Sequence, residues 1–251
     1  MAVSPMEQFE VKPILSWHPF GIDLSFTNSS LFMCIVVAAV TVFFAVALSR
    51  PKHVPGRMQS MAELSYEFVA NMIRSTSGDD GMVFFPFVFT IFFFVLFSNF
   101  IGLVPWTFTV TSQILVTFAL TVLVMATVVV VGFAKHGVGF LKLFVPKAPW
   151  YLIWLLIPIE VISFLTRLVS LSVRLFANML AGHTMLAIFA GFVITLGAVG
   201  GILSAASILP MAFILFVYTL EMLVAFLQAY VFAVLTCIYL NEALHLHGEQ
   251  H

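Results

Sequence analysis

Long apolar runs alternate with short polar segments along this chain. One uncharged run covers Leu31–Leu48, and a second extends over Gly81–Ala134, where a break at Gly102–Gln113 is rich in Gly, Pro and hydroxyl residues. Each piece has the roughly 20 apolar residues that a transmembrane helix needs. We therefore predict one membrane span at Leu31–Leu48 and a hairpin of two spans at about Val83–Ile101 and Ile114–Phe133.

Two much longer apolar tracts form the second half of the chain. The first runs from Ala148 to about Leu196, which is roughly 73 Å of helix against about 30 Å of hydrocarbon. It must therefore break into two helices or lie strongly tilted. Gly197–Ser207 predicts a reversal, Pro210 opens the return, and the second tract covers about Met211–Asn241. Residues 148–242 are thus predicted to form one long helical hairpin.

The segment Arg57–Arg74 differs from the spans, because its apolar residues are interleaved with charged and amide side chains. The apolar positions recur at helical spacing: Met58, Met61, Leu64, Phe68, Met72 and Ile73. This pattern predicts an amphipathic helix that lies in the inner membrane interface. A segment that packs between other helices fits the pattern equally well.

The composition indicates the class of protein, and the charges of the loops indicate how the chain is oriented in the membrane. The chain is 62% hydrophobic and 8% charged, which is typical of membrane proteins, and its net charge of −1 argues against nucleic acid as a partner. Seven basic residues fall on one side of the predicted spans and only Lys12 on the other: Arg50, Lys52, Arg57, Arg74, Lys135, Lys142 and Lys147. By the positive-inside rule, the N-terminus lies outside and the C-terminus inside. We predict an outer segment at residues 1–30 and a single polytopic domain at 31–251.

The first long tract carries one ordered polar stripe. Its members follow one another at steps of 3, 4, 3, 4 and 4 and therefore share one helix face: Glu160, Ser163, Arg167, Ser170, Arg174 and Asn178. A charged arginine at mid-membrane depth costs about 2.5–3.5 kcal/mol on insertion scales. Such a stripe is expected to face a water-filled cavity or another protein.

His183 follows Arg174 by nine residues, so an ideal helix turns it away from the stripe and another partner is required. Glu221 on the return helix is such a candidate. The two residues lie 18 and 20 positions from the reversal near residue 201, so they should sit at similar depth. Paired with a glutamate, the imidazole becomes half of a proton-accepting pair near neutral pH. Gln228 shares the face of Glu221, two helical turns later.

Two motifs in the hairpin give the chain a resemblance. S-L-S-V-R-L-F-A-N-M-L-A-G-H (Ser170–His183) and L-Q-A-Y-V-F-A-V-L-T-C-I-Y-L (Leu227–Leu240) closely resemble subunit a of F-type ATP synthases, as does N-F-I-G-L-V-P-W (Asn99–Trp106). The similarity extends over nearly the whole chain. It implies a non-catalytic stator subunit that passes protons through two half-channels to and from a rotating ring of c subunits.

The resemblance also implies residue roles. Arg174 matches the family's arginine, a fixed cation that favours the ionised form of a passing ring carboxylate and blocks a direct proton leak. Glu221 and His183 match the family's residues of the outer half-channel, and Asn178 and Gln228 match positions near the ring. The inner half-channel matches Glu160, Ser163 and Ser170. Arg167 is less characteristic of the family, and its role stays open.

Partners and location follow from the same resemblance. We expect the c-ring, peripheral-stalk b subunits, other ATP synthase subunits and membrane lipids as partners, with both long helices tilted around the ring. The bacterial plasma membrane is favoured over the mitochondrial inner membrane. We expect no cofactor, because no segment resembles a phosphate-binding loop, and no metal site, because the histidines of the tail read as solvated: His245, His247 and His251.

The residues themselves leave two other classes open. A self-contained proton-coupled secondary transporter would show repeated halves, and the first half of the chain has no second polar stripe. An intramembrane hydrolase would need a nucleophile and a base such as Ser170 and His183, which an ideal helix places on poorly matched faces.

Overall fold

The computed structural model describes residues 11, 13–15, 25–49, 53–104, 107–137, 139, 150–199 and 206–244. Within these residues the fold is helical, with six α-helices: α1 Asn28–Leu48, α2 Arg57–Ser77, α3 Phe85–Gly102, α4 Ile114–His136, α5 Trp150–Val199 and α6 Ile208–Leu244. Short 3-10 helices at Asp79–Phe84 and Val110–Ser112 precede α3 and α4. Several predictions lie outside the described residues: the loop charges at 12, 50, 52, 142 and 147, most of the outer segment, residues 200–205 of the predicted reversal, and the polar tail from residue 245.

Among the described residues, five helices are long and apolar enough to cross a membrane, which confirms the predicted multi-pass membrane fold. They are Asn28–Leu48, Asp79–Gly102, Ile114–His136, Trp154–Ala198 and Ile208–Leu244. The predicted break at Gly102–Gln113 does separate two spans, because the chain leaves α3 after Gly102 and enters α4 at Ile114.

Helix α5 decides between the two predictions for the first long tract. It continues without interruption through all 50 residues of Trp150–Val199, with Pro158 inside it. A proline removes one backbone hydrogen bond, and membrane helices tolerate such losses where neighbouring groups compensate. The tract therefore does not break, and tilting remains the way to fit about 75 Å of helix into a bilayer. Pro210 lies in the first turn of α6, as the sequence predicts.

The described chain divides into two compact units, which are taken separately. The first comprises Met1–Thr41, Phe94–Gln113 and Leu175–Ala229. A feature that the sequence did not predict lies here, an antiparallel pair of strands β1 (Pro13–Leu15) and β2 (Phe26–Thr27). These short extended pieces satisfy backbone groups that would otherwise need water.

Helices α3, α5 and α6 meet in this first unit. Buried Asn99 of α3 donates through Nδ2 to the backbone oxygen of Ala225 at 3.2 Å. An interhelical hydrogen bond of this kind is a common role for an isolated amide in a membrane span. The stacked rings of Phe189 and Phe213, with centroids 5.6 Å apart, join α5 to α6.

The second unit comprises Val42–Phe93, Ile114–Arg174 and Tyr230–His251. A cluster of aromatic rings joins α1 to α3, with Phe44 packed edge-on against Phe93 at 4.9 Å. Small polar residues make the closer contacts. The hydroxyl of Ser77 donates to the backbone oxygen of Cys237 at 2.9 Å, which links α2 to α6.

Helix α2 is amphipathic as predicted, but the face that it buries in the second unit differs in part from the expected one. Met72 and Ile73 are buried, whereas four of the predicted apolar positions are exposed: Met58, Met61, Leu64 and Phe68. The buried seam contains Ala62 and Ala70 instead. Small residues let helix backbones approach closely, so they occupy the protein contact and leave the long side chains outside.

Candidate functional site

The polar stripe of α5 lines a cleft in the second unit. Four of its members form one wall: Ser163, Arg167, Ser170 and Arg174. Val231, Leu235 and Tyr239 of α6 face them across a volume of about 410 Å³. The predicted spacing therefore brings these polar side chains together. Glu160 and Asn178, at the two ends of the stripe, are half-buried and do not line this cleft.

The two arginines of the cleft differ in their partners. Arg167 donates through Nη1 to Oε2 of Glu242 at 2.6 Å, and its guanidinium lies 5.6 Å from the centre of the Tyr239 ring. Arg174 is exposed, and it has no ion-pair partner among the described residues. Arg174 is therefore the cation of the cleft that is open to an incoming anion.

His183 and Glu221 form a second polar group, in the first unit. Nε2 of His183 lies 3.8 Å from Oε1 of Glu221, and Glu221 is only 5% exposed. The partner that the helical phase of His183 required is thus on α6, and the predicted match in depth is correct. A distance of 3.8 Å is longer than a hydrogen bond, so proton exchange needs a small approach or a bridging group.

Two neighbours shape this pair, and the sequence did not single out either of them. Oγ1 of Thr109 lies 3.1 Å from Nε2 of His183 and donates to the backbone oxygen of Gly102 at 3.3 Å. Gly182 leaves room for the carboxyl group, because a Cβ at this position would lie 2.5 Å from Oε1 of Glu221. In the sequence, Thr109 was only one of several hydroxyl residues in the break predicted at Gly102–Gln113.

Gln228 also lies deep in the first unit, at 6% exposure. Its Nε2 and both carboxyl oxygens of Glu221 are buried, and within the described residues they have no hydrogen-bond partner. Buried polar groups without partners are rare and costly, and in the same unit the hydroxyl oxygens of Ser29 and Ser98 likewise lack a hydrogen-bond partner among the described residues. A separate hydroxyl–amide network lies in the same unit, where Thr111 donates to Oδ1 of Asn99 at 2.9 Å.

The arrangement can therefore do two things chemically. The cleft of the second unit presents a fixed cation among hydroxyl groups, which suits the transient binding of a carboxylate. The first unit presents a half-buried imidazole beside a buried carboxyl group, which suits proton uptake and release.

Comparisons with known proteins find one family and a set of relatives that match nearly the whole chain. The sequence model of the family described as "ATP synthase A chain" matches residues 30–241. The chain is 57% identical over 244 residues to ATP synthase subunit a of Mesorhizobium japonicum, covering 97% of both chains. It is 58% identical over 246 residues to the subunit a of a Chelativorans species, covering 98% of this chain and 99% of the relative. With the Allorhizobium ampelinum protein the identity is 55% over 249 residues, covering 99% and 100%.

Proposed function

The chain belongs to the ATP synthase A chain family, and from that premise we propose that Arg174 is the fixed cation past which protons reach the rotor. Membership makes the chain a non-catalytic, proton-conducting stator subunit of the membrane sector, which works with other ATP synthase subunits. It also removes the secondary transporter and the intramembrane hydrolase from consideration, because the family match covers most of the chain.

The inner half-channel is proposed to use the cleft of the second unit. Ser163 and Ser170 supply hydroxyl groups that can hold water or pass a proton, and Glu160 continues the stripe on the same helix face. A carboxylate that comes to Arg174 is held ionised by the cation. Moving away from Arg174 lets the carboxylate take up a proton again.

The outer half-channel is proposed to use the imidazole–carboxyl pair of the first unit. His183 and Glu221 exchange the proton, and Asn178 and Gln228 lie further along α5 and α6 towards the proposed rotor contact. The burial of Glu221 and Gln228 without hydrogen-bond partners among the described residues supports this assignment.

The remaining partners and the orientation follow the same proposal. The rotor is a ring of c subunits, the stator includes peripheral-stalk b subunits, and lipids cover the exposed apolar faces. The N-terminus lies outside, in an outer segment of residues 1–30, and the polytopic domain of residues 31–251 ends inside. The relatives named above are bacterial, which supports the plasma membrane as the location.

The observation that carries the proposal is the open guanidinium of Arg174 in a polar cleft. The test is Arg174→Ala in inverted membrane vesicles that contain the whole complex, with ATP-driven proton pumping and passive proton leak measured together. We expect pumping to fall to background while the complex stays assembled, and the leak to rise, because the electrostatic barrier between the half-channels is gone.

Arg74→Ala is the matched control, since it removes an exposed arginine from α2, away from the cleft. It should pump like the wild type. Pumping near the wild-type rate in Arg174→Ala, with an assembled complex, would contradict the proposal.

A further inference from the structure

Arg167 is the second cation of the polar stripe, and neither the helical spacing nor the family resemblance explains it. In the structure it is engaged by α6. Its Nη1 lies 2.6 Å from Oε2 of Glu242, with side chains 33% and 30% exposed, and the Tyr239 ring lies beside the guanidinium. The charge of Arg167 is therefore compensated where it enters the cleft.

Arg174 lines the same cleft as Arg167, but among the described residues no carboxylate pairs with it. The two arginines are seven residues apart on α5, which is two turns and about 10 Å along the helix axis. A carboxylate drawn to one of them is within electrostatic range of the other. Two uncompensated cations would offer such a carboxylate two resting positions in place of one.

We propose that Glu242 is a positioning residue that neutralises Arg167, so that Arg174 is the only net cation that the cleft presents to a passing carboxylate. This inference rests on the proposed function of Arg174, and it assigns a role to the ion pair that the proton path itself does not use. Glu242 acts through Arg167 and does not touch the travelling group.

The size of the effect follows from the distance between the two cations. At an effective dielectric constant of about 20, a unit charge about 10 Å away changes the occupancy of a carboxylate site by on the order of tenfold. A partly exposed pair is also screened by water, so this is an upper figure. Removal of the Glu242 carboxylate should thus let Arg167 attract the rotor carboxylate as well, which would slow each step of the rotor.

A purely structural ion pair gives different expectations. If the pair only joined α5 to α6, removing either partner would weaken the same contact, and removing both would be no better than removing one. If the pair balances charge, removing either partner alone is harmful, because one uncompensated charge is left beside Arg174, and removing both restores function.

The test compares three variants in vesicles that contain the complete complex: Glu242→Gln, Arg167→Gln and the double variant. Subunit content is quantified so that pumping is expressed per assembled complex. We expect ATP-driven pumping to fall by up to about tenfold in Glu242→Gln. In the double variant it should return to within about twofold of the wild type, as Coulomb compensation predicts. Arg167→Gln alone should also pump less than the double variant, because it leaves the Glu242 carboxylate uncompensated.

Glu67→Gln is the control, because it removes an exposed carboxylate from α2 of the same unit. The proposal is overturned if Glu242→Gln pumps like this control, or if the double variant is as impaired as Glu242→Gln. If Glu242→Gln does not assemble, a double variant that pumps no better than Arg167→Gln overturns the proposal as well. Failure of the proposed function itself is recognised separately, by full pumping in Arg174→Ala.

Discussion

At the scale of single residues, the imidazole–carboxyl pair depends on neighbours that carry no charge. Gly182 precedes His183 on α5, and its missing side chain is the space that the Glu221 carboxyl group occupies. Thr109 approaches Gly102 so closely that a Cβ there would lie 2.7 Å from its methyl carbon, and from this position its hydroxyl contacts His183. Gly182 thus gives the Glu221 carboxyl group its place beside His183, and Gly102 gives Thr109 its place beside the imidazole.

Gly182→Ala should therefore impair proton transfer without unfolding the protein. The new Cβ would lie 2.5 Å from Oε1 and 2.8 Å from Cδ of Glu221, and a flexible carboxyl end can rotate away more easily than a backbone can move. We expect normal assembly and a loss of ATP-driven pumping of about tenfold or more, as for a misplaced acid–base group. Dye-quenching measurements of pumping in inverted vesicles provide the readout.

Gly191→Ala supplies the matched control on the same helix and in the same unit, because a Cβ at that position meets no atom within 4 Å. It should assemble and pump like the wild type. Equal activity of the two alanine variants would show that the close approach at Gly182 is irrelevant to the pair.

At the scale of elements, the helices are joined by few but specific polar contacts. Asn99 links α3 to α6 through the backbone oxygen of Ala225, and it also accepts from Thr111 in the connection before α4. In a membrane, apolar side chains gain little by leaving lipid, so hydrogen bonds and close packing supply much of the specificity of helix association.

Asn99→Ala should loosen the contact between α3 and α6. Interhelical hydrogen bonds in membrane proteins contribute about 0.6 kcal/mol on average and up to about 1.7 kcal/mol. The expected value lies at the upper end, because the substitution removes the bond to the Ala225 oxygen and also leaves the buried hydroxyl of Thr111 without its acceptor. Thermal inactivation of the detergent-solubilised complex should occur at a lower temperature.

Asn71→Ala removes an exposed amide from α2 and is the control for this measurement. Its inactivation temperature should equal that of the wild type. An unchanged temperature in Asn99→Ala would mean that the hydrogen bond is replaced without cost.

At the scale of the whole molecule, five apolar helices and a strongly biased loop charge make the orientation testable. Arg57, Arg74 and Lys135 are described members of the basic group, and all three flank the ends of spans that the positive-inside rule assigns to one face. The connection between α3 and α4 carries no basic residue and is assigned to the other face.

Single introduced cysteines would report this orientation. Both native thiols are free, so the background is Cys34→Ser with Cys237→Ala. We expect a membrane-impermeant maleimide to label Val104→Cys in right-side-out vesicles and Gly137→Cys in inverted ones, since basic loops stay inside. His53→Cys is a second inner position. Labelling of Val104→Cys and Gly137→Cys from one face would contradict the predicted topology.

The sequence by itself determined the membrane class, the positions of the five spans and the identity of the polar stripe. These features are local, because apolar length and helical period can be read along the chain without knowing any contact. The stripe at Ser163, Arg167, Ser170 and Arg174 does line one cleft for that reason.

Only the tertiary structure decided which residues of different helices meet. Three contacts join residues that are 39 to 75 positions apart: Gly182 with Glu221, Thr109 with His183, and Arg167 with Glu242. The continuity of α5 past Pro158 depends on the packing around that helix. Such contacts are set by the rotation and spacing of packed helices, and no period within one helix encodes them.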